Sequence, residues 1–178
     1  FSSDHAPFSF DDPKGKLIRG EETPFPYIPN GIPGLETRLP LLFSEGVNKG
    51  RITLPQFVAL TATSPAQIYG LYPRKGTVSI GADADLTIWD PYKEVTIRNE
   101  NLHHNVDYTP YEGMDIKGWP TTTISRGEIV VQDGELLSQK GRGAFLRCER
   151  PKPAQPNQHM KSFVPGVNVS SNFTEPRY

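Results

Sequence analysis

The chain has 178 residues, which is enough to bury a hydrophobic core. Its 19 Lys and Arg residues against 20 Asp and Glu residues give a formal net charge of -1, so bulk electrostatic attraction to phosphate backbones or anionic lipids is excluded. A single cysteine, Cys148, excludes an internal disulfide framework and a cysteine-based zinc site. We therefore expect a cytoplasmic protein that binds neither nucleic acid nor membrane.

The chain opens with an aspartate and a histidine, Asp4 and His5, after a very short apolar segment. An aspartate at the end of a strand is where α/β barrels place catalytic groups, although one strand makes no barrel. Such a carboxylate can bind a divalent metal through one oxygen and accept a proton through the other. A loop aspartate that caps the following turn is the simpler interpretation of Asp4, and both remain open at this point. We expect the chain to be the back end of a larger protein.

Residues 6–34 hold six prolines and four glycines, a density that regular helices and central strands do not tolerate. The pattern predicts a long loop. Loops of this length inside compact domains are commonly lids or binding loops.

Two or three helices are predicted between residues 35 and 70. An apolar recurrence of three to four residues indicates an amphipathic helix that begins near Leu35 and ends between Gly46 and Gly50. Thr53 is the expected N-cap of a second helix that has Pro55 in its first turn and packs three apolar residues inward: Phe57, Val58 and Leu60. A third helix is expected from Ser64 to Gly70. A DNA-reading helix pair is disfavoured, because residues 54–69 contain no Arg or Lys.

The apolar period changes to two after Pro73, which predicts strands of a half-buried sheet. The predicted strands are Thr77–Ile80, Leu86–Trp89 closed by Asp90-Pro91, Val95–Ile97, Thr123–Ser125 and a hairpin over 129–137. Asp133-Gly134 is the expected hairpin turn. From Gly141 onward the sequence is polar and rich in proline, which predicts an extended tail; the sequons at Asn168 and Asn172 lie in it and are attributed to chance.

Three segments in order along the chain resemble the cyclic amidohydrolases, and within them the dihydropyrimidinases and hydantoinases. They are Ser3–Phe8 with Ile28–Gly31 and Arg38–Val47, then Gly76–Val78 with Gly81–Pro91, then His104–Met114. The last of these is similar to a signature of dihydropyrimidinases and hydantoinases. The match runs from residue 2 to about residue 145.

The resemblance implies the carboxy-terminal portion of a metal-dependent hydrolase that opens cyclic imides or diamides. Such enzymes hold two divalent metals, usually zinc, with four histidines, a carbamylated lysine and one aspartate, and Asp4 matches that aspartate. The expected role of Asp4 is to bind one metal, accept a proton and return it to the leaving ring nitrogen. The lysine and histidines are expected outside this chain, so the chain alone is expected to be inactive.

Two further positions bear on the substrate that the resemblance implies. Asn30 matches the position whose main chain binds the cyclic amide, and backbone groups suit an amide because they match its N–H and C=O edge. Dihydroorotases are similar but carry a histidine for the substrate carboxylate where this chain has Phe8. Allantoinases carry a different loop in place of Ile28–Gly31. A neutral ring, either a 5,6-dihydropyrimidine or a 5-substituted hydantoin, is therefore the expected substrate, and allantoinase or dihydroorotase activity is the alternative.

Other chemically suggestive residues favour structural roles. His103 and His104 are adjacent and so point to opposite faces of an extended segment, which disfavours metal binding. His5 is either a neighbour of the catalytic site or a buried structural residue. Asp83 and Asp85 carry only a fragment of a calcium-loop spacing, and turn chemistry explains both.

The expected organisation is the end of a (β/α)8 barrel at residues 1–72, strands of a small β-sandwich domain at 73–140 and the tail at 141–178. The resemblance implies a homo-oligomer, a tetramer or dimer, that acts in pyrimidine degradation. Two rival hypotheses remain: a non-catalytic relative that serves as a scaffold in signalling, and a stand-alone binding protein.

Overall fold

The structure is a computed structural model that describes residues 1–11 and 14–149. A long irregular segment leads into a helical layer, and this layer packs against a four-stranded antiparallel sheet. No helix in these ranges is long and apolar enough to cross a membrane. Most of the predicted tail, including both sequons, lies outside the described residues.

The predicted loop is confirmed for its described part. Its regular structure is limited there to a single 3₁₀ turn, Phe25–Tyr27, and two isolated β-bridges. One bridge pairs His5 with Ile32 in parallel, so the end of the loop returns alongside its start. The bridge therefore closes residues 6–31 into one loop whose two ends lie side by side.

The first helical segment is α1, Arg38–Leu41, which continues as a π-helical stretch over Leu42–Asn48. The second is α2, Leu54–Val58, and it runs through a π-helical stretch, Ala59–Thr63, directly into α3, Ser64–Ile68. Thr53 caps α2 as predicted, because its Oγ1 accepts from the Gln56 N–H at 3.3 Å while the Gln56 side chain accepts from the Thr53 N–H at 2.8 Å. The predicted second and third helices thus form one continuous segment.

The predicted inward face of α2 is only partly correct. Phe57 is buried, with 5% of its surface exposed, but Val58 is 47% exposed and Leu60 is 38% exposed. The described residues leave the Val58 and Leu60 side chains partly uncovered. The prediction that all three pack inward is therefore wrong for these two.

The sheet consists of β1 (Leu86–Thr96), β2 (Asp115–Ser125), β3 (Glu128–Gln132) and β4 (Glu135–Leu136), paired in chain order. Asp133 and Gly134 have φ values of 49° and 89°, so both residues of the predicted hairpin turn are left-handed. Arg126 and Gly127 form a second such turn between β2 and β3, at 52° and 81°. Two-residue turns of this kind match the twist of the strands that they join.

Asp90-Pro91 does not close the first strand as predicted. β1 continues to Thr96, and its ladder with β2 is irregular between Asp90 and Glu94. The Asp90 carboxylate accepts from the N–H groups of Tyr92 and Lys93 at 2.9 and 3.2 Å, which stabilises a bulge at the proline. The predicted strand at residues 95–97 is the continuation of the same strand.

The predicted strand at Thr77–Ile80 is wrong in the described structure. No described strand pairs with this segment, and Val78 and Ile80 are 85% and 106% exposed. Alternation of apolar and polar residues favours a strand, but a strand also needs a neighbour to complete its backbone hydrogen bonds.

Three aromatic rings join the helical layer to the sheet. Phe43 stacks on Trp89 with ring centroids 5.0 Å apart, and Phe57 meets both rings edge to face. Phe43 also lies against Gly118 of β2, where any Cβ would overlap the ring. Gly118 has a φ of 98°, so both its backbone and this close approach require glycine.

The described sheet is a single layer. Several large apolar side chains on it are exposed, namely Ile88, Tyr92, Ile129 and Leu136. The sheet confirms a β-rich unit after the helices, while the second sheet of the expected sandwich is not found among the described residues.

Candidate functional site

Asp4 lies at the start of the loop with an exposed side chain. Its φ of 47° places it in the left-handed region, which is uncommon for a residue with a side chain. No hydrogen bond or ion pair to its carboxylate is found within residues 1–11 and 14–149. The predicted capping of the following turn is therefore absent there, and the carboxylate is open to an external partner.

His5 holds the far end of the loop beside Asp4. Its Nδ1 accepts hydrogen bonds from the N–H groups of Gly34 and Leu35, at 3.1 and 3.2 Å. A ring nitrogen that accepts carries no proton, so the neutral ring has its proton on Nε2. These contacts support the structural interpretation of His5.

The Pro29-Asn30-Gly31 turn packs directly against the residue that follows His5. Ala6 donates its N–H to the Ile32 carbonyl at 3.3 Å. Gly31 has a φ of 104°, and a Cβ there would lie 2.7 Å from the Ala6 carbonyl oxygen and still closer to the Ala6 Cβ. Only glycine allows this approach. The structure therefore brings the segments of Asp4 and Asn30 side by side, and Asn30 is exposed.

A lysine that the sequence analysis missed supports this turn. The Lys16 Nζ donates to the carbonyls of Pro29 and Gly31, at 2.8 and 2.7 Å. These carbonyls flank Asn30. A lysine in a polar loop carries no pattern that identifies backbone acceptors, so this contact could not be read from the sequence.

The segment resembling the dihydropyrimidinase signature binds the loop that follows Asp4. The Asp107 carboxylate accepts from the N–H groups of Phe10 and Asp11, at 2.6 and 2.9 Å. These bonds hold the pKa of Asp107 below its usual value, because they favour the charged carboxylate. The Phe10 ring meets the Tyr108 ring edge to face at 5.6 Å. Asp107 and Tyr108 thus join the segment that precedes β2 to the loop, and we call these contacts the clamp.

His103 and His104 have structural partners. The Glu36 carboxylate faces His103 Nδ1 at 2.9 Å and accepts the His103 N–H at 2.7 Å. His104 Nε2 lies 2.7 Å from the Asn99 side-chain oxygen, and partial burial lowers the pKa of His104. These contacts give both histidines structural partners, and the prediction that neither binds a metal stays a prediction.

Asp83 and Asp85 neutralise Lys75 in a turn before β1. Lys75 Nζ lies 2.9 Å from Asp83 and also contacts Asp85, whose other oxygen accepts the Arg126 N–H at 2.8 Å. The hydrogen bond from Lys75 lowers the pKa of Asp83. Partial burial acts to raise the pKa of Asp85, but the bonds from Lys75 and Arg126 outweigh it and the pKa is lowered. Both aspartates thus have a structural role, as predicted, but through ion pairs and not through the turn hydrogen bonding that the sequence indicated.

Comparison with known proteins identifies the class. A model of the amidohydrolase family matches residues 2–130, and the chain belongs to that family. It is 44% identical over 151 residues to a D-hydantoinase of Ralstonia pickettii, covering 85% of this chain and 32% of that protein. It is 48% identical over 145 residues to a D-hydantoinase of Geobacillus stearothermophilus, covering 82% and 30%.

Solved structures agree with the sequence matches. The chain resembles a dihydropyrimidinase from Brevibacillus agri with a TM-score of 0.77 and 42% identity, over 86% of this chain and 32% of that one. The predicted resemblance to the dihydropyrimidinases and hydantoinases is therefore confirmed. The chain spans about a third of the length of the relatives that it matches.

Amidohydrolases are metal-dependent, and a metal centre needs several ligands close together. Nowhere in the described ranges do three or more His, Cys, Asp or Glu side chains gather in a way that could hold a metal ion. The open carboxylate of Asp4 has the oxygen chemistry of a single metal ligand. The described residues thus fit one ligand and do not form a complete centre.

Proposed function

We propose that the full-length protein containing this chain hydrolyses the ring amide of 5,6-dihydropyrimidines or 5-substituted hydantoins to N-carbamoyl amino acids. The observation that carries the proposal is the juxtaposition of the Asp4 and Asn30 segments, joined by the His5–Ile32 bridge and the Ala6–Gly31 contact. This juxtaposition supports the proposal, because an exposed carboxylate and a backbone edge without hydrogen-bond partners among the described residues lie on neighbouring segments.

Asp4 acts in this proposal as a metal ligand and as the group that moves the proton. Its carboxylate has no competing partner in the described ranges, which leaves both oxygens available. One oxygen would bind one of two divalent ions, with zinc as the expected metal, and the bound ions would supply an activated water. The other oxygen would accept the proton that this water gives up on attack and return it to the ring nitrogen that leaves. The remaining ligands, including the carbamylated lysine, belong to the rest of the protein.

Asn30 binds the ring through its main chain. Its N–H and C=O make no hydrogen bond within the part of the chain that the structure describes. A cyclic amide presents one N–H and one C=O on the same edge, so a free backbone edge can satisfy both groups. The neutral Phe8, 40% exposed near the site, supports an uncharged ring over a carboxylated one.

The organisation that we propose follows the expected boundaries. Residues 1–72 end a (β/α)8 barrel and residues 73–140 contribute strands to a β-sandwich; most of the expected tail, 141–178, lies outside the described residues. The exposed apolar side chains of the sheet support a second layer supplied by the rest of the protein, because large apolar patches on a protein surface are usually covered. The full-length protein is proposed to be a homo-oligomer, a tetramer or dimer.

The direct test is a ring-opening assay with the purified, zinc-loaded full-length protein. Dihydrouracil, a 5-substituted hydantoin, allantoin and dihydroorotate are supplied separately, and N-carbamoyl products are measured by mass spectrometry. We expect turnover of the first two and much slower turnover of the others. If no ring is opened and no metal is retained, the non-catalytic scaffold hypothesis replaces this one. The isolated 178-residue chain is expected to be inactive.

A further inference from the structure

Lys16 makes two hydrogen bonds with one ammonium group, and both acceptors are main-chain carbonyls of the same turn. Its Nζ lies 2.8 Å from the Pro29 oxygen and 2.7 Å from the Gly31 oxygen, in a partly buried environment. Charge-assisted bonds of this length are about twice as strong as neutral ones. The lysine therefore holds a specific backbone conformation 13 and 15 residues further along the chain.

The two acceptors flank Asn30. The Pro29 carbonyl belongs to the same peptide group as the Asn30 N–H, and the Gly31 carbonyl belongs to the peptide group after the one that contains the Asn30 C=O. Fixing both carbonyls thus fixes the direction in which the Asn30 edge points. An acceptor that is polarised by an ammonium also makes the N–H of the same peptide a stronger donor.

We propose that Lys16 is a positioning residue that orients the Asn30 main chain to receive the amide edge of the cyclic substrate. The inference rests on the proposed function, since it assumes that the Asn30 edge binds a ring. Lys16 does not touch the substrate in this account. Because Lys16 already holds the turn in one conformation, substrate binding loses less conformational entropy.

The rest of the turn has its own support, so loss of Lys16 need not unfold the site. Gly31 still packs on Ala6, and Ile32 still accepts the Ala6 N–H. The expected defect is a misdirected Asn30 edge. Because this edge binds the ring in both the ground state and the transition state, the defect appears mainly in KM.

The test is Lys16→Met in the full-length, zinc-loaded enzyme, with Lys49→Met as the matched control. Lys49 is exposed, its one ion pair among the described residues is with Glu45 four positions earlier, and it loses the same charge when substituted. We expect Lys16→Met to raise KM for the preferred ring by about tenfold or more, as supporting residues of active sites commonly do, with kcat changed by less than about threefold. Lys49→Met should leave both constants near wild type.

A second variant keeps the test decisive if Lys16→Met does not fold. Lys16→Gln retains an amide donor without the charge, so its KM should lie between those of wild type and Lys16→Met. If Lys16→Met cannot be measured, the KM of Lys16→Gln should still be clearly above that of wild type. If Lys16→Met folds and its KM is unchanged, the inference about Lys16 is overturned while the proposed function stands. If Lys16→Met cannot be purified, a wild-type KM for Lys16→Gln has the same meaning. A wild-type protein that opens no ring would overturn the proposed function together with this inference.

Discussion

The carboxylate of Asp107 accepts a hydrogen bond of 2.6 Å from the backbone N–H of Phe10, 97 residues earlier in the chain. The same carboxylate also accepts the Asp11 N–H, so both of its oxygens are used. The loop that carries Asp4 is therefore tied to the segment between β1 and β2. In physical terms, the region that resembles the family signature stabilises the loop that follows Asp4.

Asp107→Asn should destabilise this clamp. An amide keeps one acceptor oxygen but turns an NH₂ group toward a backbone N–H, so one hydrogen bond is lost and two donors oppose each other. Because the carboxylate is exposed, we expect a loss of about 1 kcal/mol in the free energy of unfolding of the full-length protein. Denaturant unfolding measures it. An unchanged free energy would show that the clamp contributes nothing to folding.

The stabilisation by Asp107 should depend on pH. The N–H groups of Asp11 and Phe10 lower the pKa of its carboxyl in the folded state, so the contribution is complete above the ordinary value of about 4. It is lost as the pH falls through the lower folded value. The difference in unfolding free energy between wild type and Asp107→Asn should therefore shrink between pH 7 and pH 3. A difference that is equal at both pH values would contradict this explanation.

Gly31→Ala should damage the site more than its backbone angle alone explains. The new Cβ would meet Ala6, so the Asn30 turn must move away from the segment of Asp4. Gly20→Ala is the matched control, because Gly20 has a φ of 79° in the same loop but nothing within 4 Å of a new Cβ. Each variant pays about 1 kcal/mol for the left-handed backbone.

The readout for this pair is ring-opening activity together with the thermal midpoint. We expect kcat/KM to fall at least about tenfold for Gly31→Ala and to stay near wild type for Gly20→Ala. Equal effects from the two variants would mean that the Gly31–Ala6 contact has no role in the site.

Lys75→Met should destabilise the turn before β1. Without the ammonium, Asp83 keeps Arg74 at 3.0 Å and Asp85 keeps the Arg126 N–H, but the repulsion between the two carboxylates is compensated less and their pKa values rise toward the ordinary range. The thermal midpoint at pH 7 should fall by a few degrees, whereas Lys49→Met, which breaks an exposed helix pair, should change it little. Since the folded aspartates have lowered pKa values, the difference should be complete above about pH 4 and shrink as the pH falls through those lower folded values. A difference that does not shrink on acidification would point to packing instead.

Local features of the fold could be predicted from the sequence because their causes lie within a few residues. Thr53 caps α2 through a residue three positions away, and Asp133-Gly134 forms its turn with adjacent residues. The density of prolines and glycines excludes regular structure in the loop without reference to any other part of the chain.

Features that depend on a distant partner could not be predicted. Thr77–Ile80 alternates like a strand, yet no described strand pairs with it, and Val58 is 47% exposed although its apolar side chain predicts burial. At the site, Asp4 and Asn30 were found through motif resemblance, whereas Lys16 and Asp107 act on backbone groups far along the chain. Backbone N–H and C=O groups are the same at every residue, so such contacts leave no pattern in the sequence.

The central claim is that Asp4 moves the proton during ring opening, and the rate of Asp4→Asn tests it most directly. The substitution keeps the size of the side chain and removes its ability to accept a proton. With the full-length, zinc-loaded protein and its preferred ring, we predict a fall in kcat of roughly a hundredfold to ten-thousandfold. A kcat within about threefold of wild type would contradict the account and return Asp4 to the role of an ordinary loop residue.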